Sequence, residues 1–123
     1  MNTKTSFRDL LIWQKASELV KKIYFLTREF PREERFGLTD QMHRSANSVA
    51  ANIAEAHGRY HFADKIRVLY QARGECFETQ SHLSIALNLG YITKEVFVRI
   101  DKEYEGLGVG INAYINKIKL SKS

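Results

Sequence analysis

The stretch FVRIDKEYEGLGVGINAYINKI, residues 97–118, places Phe97, Ile100, Tyr104, Leu107, Ile111, Tyr114 and Ile118 at steps of 3, 4, 3, 4, 3 and 4. Apolar residues at that spacing draw one stripe down a helix, whereas a strand would alternate with a period of two. Against the helix stand Gly106, Gly108 and Gly110, each costing roughly 1 kcal/mol relative to alanine in a helix interior. Seven apolar positions in perfect register outweigh three glycines, because burial of a stripe supplies most of the stability of a helix in a protein. The stretch is read as helix, with the glycines as the place for a kink.

The same register runs through the rest of the chain. Upstream, Ile12, Ala16, Leu19, Ile23, Leu26 and Phe30 follow steps of 4, 3, 4, 3 and 4. Ser6 is suited to cap this segment, with Asp9 at its third position, and Pro31 stops it near Phe30. A second segment carries Met42, Ala46, Val49 and Ile53 and stops at Gly58. A third carries Phe62, Ile66, Leu69, Cys76, Leu83 and Leu87 and ends at Gly90, although Arg73 and Gln80 occupy two of its register positions. Thr93 then caps the fourth. The spacing predicts helices over about 7–30, 38–57, 62–89 and 94–118. Four such helices joined by short turns predict an all-α, up-down-up-down antiparallel four-helix bundle, a single domain over 1–123.

Composition narrows the class. With 44% apolar and 27% charged residues, the 123-residue chain is that of a folded globular domain. The single cysteine, Cys76, has no partner for an internal disulfide, so a cytoplasmic protein is expected. The first thirty residues include Arg8, Asp9, Lys15 and Glu18, and no apolar run exceeds four residues, so neither a signal peptide nor a membrane span is expected. The net charge of +5 favours polyanionic partners, although the cations are scattered rather than gathered in one run.

The second helix poses the sharpest question about a site. Within SVAANIAEAHGRY (48–60), Asn52, Glu55 and Arg59 fall on one face of an alanine-rich helix, one turn below Ser48. Alanine lets neighbouring backbones approach, and polar groups buried there persist only when paired. The expectation is a structural network of Asn52, Glu55 and Arg59 reaching Glu78 or Gln80 on the third helix, or a neighbouring subunit. The alternatives are a nucleic-acid contact by Arg59 and a solvated face. If the network is buried, Glu55→Ala strands a cation and is strongly destabilising.

Catalytic patterns are weak. Carboxylate-bridged metal pairs in bundles use Glu-x-x-His on two helices, and no such motif occurs; Glu78 and His82 lie four apart. Cys76 sits at a core register position, where inert packing is expected. No glycine-rich phosphate loop is present. Neither an enzyme, a metal site nor a cofactor is expected. Trp13, Val20 and Tyr24 form a second stripe on the first helix, either a wider core face or a subunit interface.

FRDLLIWQKASEL (7–19), FPREERFGLTDQMHRSANSVAANIAEAHGR (30–59) and ARGECFETQSHLSIALNLGYI (72–92) together resemble the bacterial four-helix bundle family encoded in intervening sequences of large-subunit ribosomal RNA genes. That family is similar to the accessory variability protein of diversity-generating retroelements. The resemblance covers about residues 7–118. Its most specific piece is Gly37, Leu38, Thr39, Gln41, Asn52, Ile53, Ala54, Glu55 and Arg59. Ala56 stands where the family usually has glycine, and Glu75, where a serine often follows the glycine of helix three, adds a charge beside Gly74 that weighs against an anion contact through that position. The resemblance implies a left-handed bundle, a ring-shaped homopentamer and nucleic-acid binding with no assigned catalytic activity. Joined to the charge, it gives a non-enzymatic oligomeric scaffold that binds RNA or DNA without sequence preference. Lys21, Lys22 and Arg28 on helix one, with Arg44, Lys65 and Arg67, are the candidate contacts. The alternative is an adaptor for a partner enzyme such as a reverse transcriptase.

Overall fold

The computed structural model describes residues 6–121, so both ends of the predicted 1–123 domain lie outside the described residues. Four helices follow one another: α1 Leu11–Thr27, α2 Leu38–Gly58, α3 Phe62–Asn88 and α4 Lys94–Ser121. Short 3-10 turns at Phe7–Asp9 and Arg32–Glu34 precede α1 and α2, and no strand occurs among the described residues.

Cross-helix contacts fix the directions. Lys15 of α1 reaches Glu103, while Ile12 lies against Gly110, so α1 and α4 run antiparallel. Thr27 Oγ1 lies 2.8 Å from His43 Nε2 while Tyr24 accepts from Asn47, so α1 and α2 do too. The same reversal appears in α3 and α4, where Gln80 meets Glu105 and Arg73 meets Asn112. Each helix therefore packs on its neighbours in sequence, and α4 closes the ring against α1. The α2·α3 seam is the most intimate and the α1·α4 seam the thinnest. No described helix is long and apolar enough to cross a membrane.

The middle positions of the seams read from the sequence are buried, while Ile12, Leu26, Ile66, Leu87 and Phe97 are only half-buried and Phe62, at the start of α3, is exposed. Leu19, Ile23, Met42, Val49, Ile53, Leu69, Leu83 and Ile111 are fully enclosed. On α4, Ile115 takes the deeper place and Tyr114 is half-buried. Helix α3 buries a second stripe of Val68, Ala72, Thr79, His82 and Ala86. Its polar register positions lie at the edge, where Arg73 donates to Asn112 Oδ1 at 2.7 Å and Gln80 to Glu105 Oε1 at 3.0 Å.

Helix α1 is shorter than predicted at both ends. Ser6 does accept from a backbone amide, that of Arg8, but it caps the 3-10 turn; Leu10 is extended and the helix starts after it. At the other end the chain leaves the helix at Thr27, three residues before Phe30. Pro31 disfavours helical backbone at the preceding residue, and the Phe30 amide closes a turn onto Thr27 O. Phe30 stays buried, with its ring 5.3 Å from that of Tyr91.

Helix α4 is continuous through all three glycines. A Cβ at Gly110 would lie 3.1 Å from Ile12 Cγ2, so glycine there admits α1. At Gly106 and Gly108 a Cβ meets nothing within 4 Å. Gly106→Ala is therefore expected to raise the unfolding free energy by about 1 kcal/mol in a urea titration, through helix propensity alone. A loss instead would mean that another backbone packs against that position.

The turns tie one end of the bundle together. Glu34 accepts the Leu38 amide at 3.0 Å, capping α2, and accepts from Tyr91 Oη at 2.8 Å. These bonds, the backbone one first, hold its carboxyl below the usual range. Tyr91 follows Gly90, whose φ of +80° lets the α3 terminus close with Tyr91 N–H donating to Ala86 O. The α1–α2 and α3–α4 connections are thereby bound to each other.

Candidate nucleic-acid interface

The six predicted basic contacts divide by their partners. Lys22 places its ammonium 2.9 Å from Glu103 of α4, which also takes Lys15 at 2.6 Å. Burial pushes the Glu103 carboxyl up, but the hydrogen bonds from Lys15 and Lys22 outweigh it and leave it below the ordinary range. Arg44 lies 3.6 Å from Asp40, and Arg67 lies 3.7 Å from Asp64, both within one turn of helix. Lys65 donates to the carbonyls of Ala56 and His57 at the end of α2, and desolvation lowers its pKa. Lys21 and Arg28 alone of the six have no carboxylate or backbone partner among the described residues. Both are exposed on α1 or at its end.

Arg28 rests its guanidinium 5.4 Å from the centroid of the Phe25 ring, and Arg35 lies 5.0 Å from that of Phe36. Phe25 is 69% exposed and Phe36 is 84% exposed. Both pairs belong to the end of α1 and its link to α2. Beside them a groove of about 640 Å³ opens along the thin α1·α4 seam, with Phe25, Leu26, Tyr91, Ile92, Val96 and Ile100 among its lining residues. The register argument passed over both phenylalanines because neither lies on a seam. Their adjacency to Arg28 and Arg35 was the available signal.

The polar line of α2 takes a different form from a network across helices. Asn52 donates to Ser48 O of its own helix at 2.9 Å. Arg59 pairs with Glu55 one turn away, with both side chains more than 40% exposed. Glu78 is not joined to them: it faces His82 on α3, and Gln80 turns to α4. Within the chain these are surface contacts, because the small residues that bring α2 close to α3, Ala46 and Ala56, lie on another face. Glu55→Ala is therefore expected to shift the melting temperature no more than the exposed control Glu33→Ala; a much larger loss would mean that an assembly buries the pair.

In the core between α2 and α3 the hydroxyls of Ser45 and Thr79 lie 2.7 Å apart. Residue type alone did not mark this pair. Cys76 is buried, and desolvation pushes its thiol up to about 12, so at neutral pH it is a packing group. Burial, and then Glu78, raise the Glu75 carboxyl, while His82 lowers it. Among the described residues no His, Cys, Asp and Glu group is arranged to hold a metal ion. On α1, Trp13 packs edge-on against Phe7 and Tyr24 stacks on His43 at 3.8 Å, so the second stripe has contacts inside the chain.

Four antiparallel helices closing on one another, with cations on their outer faces, define a class of small basic bundle proteins. The sequence model of the 23S rRNA-intervening sequence protein family matches residues 8–113, and the chain belongs to that family. Among solved structures it is similar to a protein of unknown function of the S23 ribosomal protein family from Bacteroides thetaiotaomicron, at 26% identity and a TM-score of 0.79. The match covers 86% of this chain and 96% of that one. No curated protein matches.

Proposed function

We propose that the chain is a non-catalytic, oligomeric nucleic-acid-binding protein that engages the phosphate backbone of RNA or DNA without reading sequence. The observation that carries this reading is the set of exposed cations left without carboxylate partners at the α1–α2 end: Lys21, Arg28, Arg32 and Arg35. Backbone binding draws its free energy from counterion release and needs such charges rather than a base-reading motif. Lys22, Arg44 and Arg67 are spoken for by carboxylates, which demotes them to secondary contacts. A cytoplasmic location belongs to the same proposal.

The assembly we propose is a ring of five chains. Five chains of +5 carry a formal +25, and sites that are weak singly become effective when repeated on one particle. Light scattering is expected to return about five times the 14.2 kDa chain mass; a monomer at micromolar concentration would refute the assembly. Titration of a labelled duplex and a structured RNA near 50 mM salt tests the binding itself.

The groove along α1·α4 favours a second reading. Its apolar floor suits an amphipathic helix of a partner protein, as in the adaptor role that a likeness to the accessory variability protein suggests. Absence of binding to either nucleic acid, together with capture of a reverse transcriptase encoded beside the gene, would favour it.

A further inference from the structure

We propose that the α1–α2 end selects single strands, stacking unpaired bases on Phe25 and Phe36 while Lys21, Arg28 and Arg35 hold the adjoining phosphates. This rests on the nucleic-acid reading above and adds the strand state of the ligand.

Phe36 exposes 84% of its surface and Phe25 exposes 69%. Each ring has a guanidinium within 5.4 Å of its centroid. Two large apolar rings held in water on one segment, each beside an arginine, form a surface that a planar apolar group can cover. The charge says what carries that group. Residues 21–36 hold five cations, Lys21, Lys22, Arg28, Arg32 and Arg35, against three carboxylates, Glu29, Glu33 and Glu34. Glu34 keeps its charge, since the Leu38 amide and Tyr91 hydroxyl that hold it are neutral, while Lys22 is matched by Glu103 of α4, which leaves the four cations Lys21, Arg28, Arg32 and Arg35 against three carboxylates. The surface around the two rings is thus a net cationic one, suited to a polyanion.

Exposed aromatic faces separate single strands from duplexes. In a duplex the bases are already stacked on one another and only edges and phosphates are presented. In a single strand every base has a free face, and aromatic rings with neighbouring arginines are the usual platform for it. The segment is also held in place. The Phe25 backbone is helical, and Phe36 sits two residues after Glu34, whose carboxylate is bound at both oxygens. The backbone that carries each ring is therefore fixed by the fold.

The test compares fluorescein-labelled 30-mers of oligo(U) and oligo(dT) with a 30-base-pair duplex, using the full chain near 100 mM salt. Oligo(U) and oligo(dT) are expected to bind more tightly than the duplex. F25A and F36A are each expected to lose at least about fivefold in single-strand affinity, with duplex affinity unchanged. Both rings are exposed, so folding is expected to survive, and circular dichroism with light scattering checks it for each variant. Equal binding of single strands and duplex, unaffected by the two substitutions, would overturn this inference and leave the backbone-binding reading standing. Binding to none of the three probes would overturn both. A change in oligomer mass without a change in single-strand affinity would assign the rings to the contacts between subunits and overturn the inference.

Discussion

Ile53→Ala is expected to cost about 3 kcal/mol of unfolding free energy, within the 2 to 5 measured for such truncations in enclosed cores. Ile53 is fully buried in α2, the helix that shares the tightest seam of the bundle with α3. Ala46 and Ala56 on the same face let the helices approach closely, leaving little room for the chain to close over a lost side chain. Truncating Leu11, which is 79% exposed beside a separate, smaller hollow lined by Ile12, Gly106 and Gly110, is expected to change stability by less than about 0.5 kcal/mol. Urea unfolding of the two variants measures the contrast. Equal losses would mean that the α1·α4 seam is sealed in solution, by a second chain or a partner.

The second large effect concerns affinity. Replacing Lys21 and Arg28 together by glutamate is expected to weaken nucleic-acid binding about a hundredfold near 50 mM salt for each engaged chain. Each phosphate contact on duplex DNA contributes about 0.9 to the slope of log K against log salt, which at that salt is worth roughly tenfold. Two lost contacts per engaged chain therefore remove about two decades. Both residues are exposed and have no carboxylate partner, so no ion pair is broken, and only the exposed contact of Arg28 with the Phe25 ring is lost. Lys22 is a poorer choice, since its loss also removes one of the two cations on Glu103 and confuses stability with binding.

The helices were legible because each buries a stripe, and a stripe is written directly in the spacing of Leu, Ile and Val. The α4 register held through three glycines for that reason, and burial of Ile100, Tyr104, Leu107 and Ile111 offset their cost. The ends of α1 were misread because Ser6 and Pro31 are real signals of the wrong element. Ser6 caps a 3-10 turn, and the chain had already turned at Thr27 before proline required it. Where the sequence reading faltered most was at polar side chains. Which carboxylate a lysine meets depends on the neighbouring helix, so nothing in the spacing of α1 foretold that Lys15 and Lys22 converge on Glu103. The line of Asn52, Glu55 and Arg59 looked buried because its helix is small and apolar. Yet burial depends on rotation about the helix axis, and the alanines at 46 and 56 turn a different face to the core.

The account stands most directly on the salt dependence of binding by the assembled protein. Affinity for a labelled structured RNA and a random duplex, measured between about 50 and 200 mM salt, is expected to fall linearly on a log–log plot. The K21E/R28E double variant is expected to give a shallower line, by about 1.8 for each engaged chain on duplex DNA, at unchanged oligomer mass. No detectable binding at 50 mM, or a slope that the double variant leaves unaltered, would contradict it.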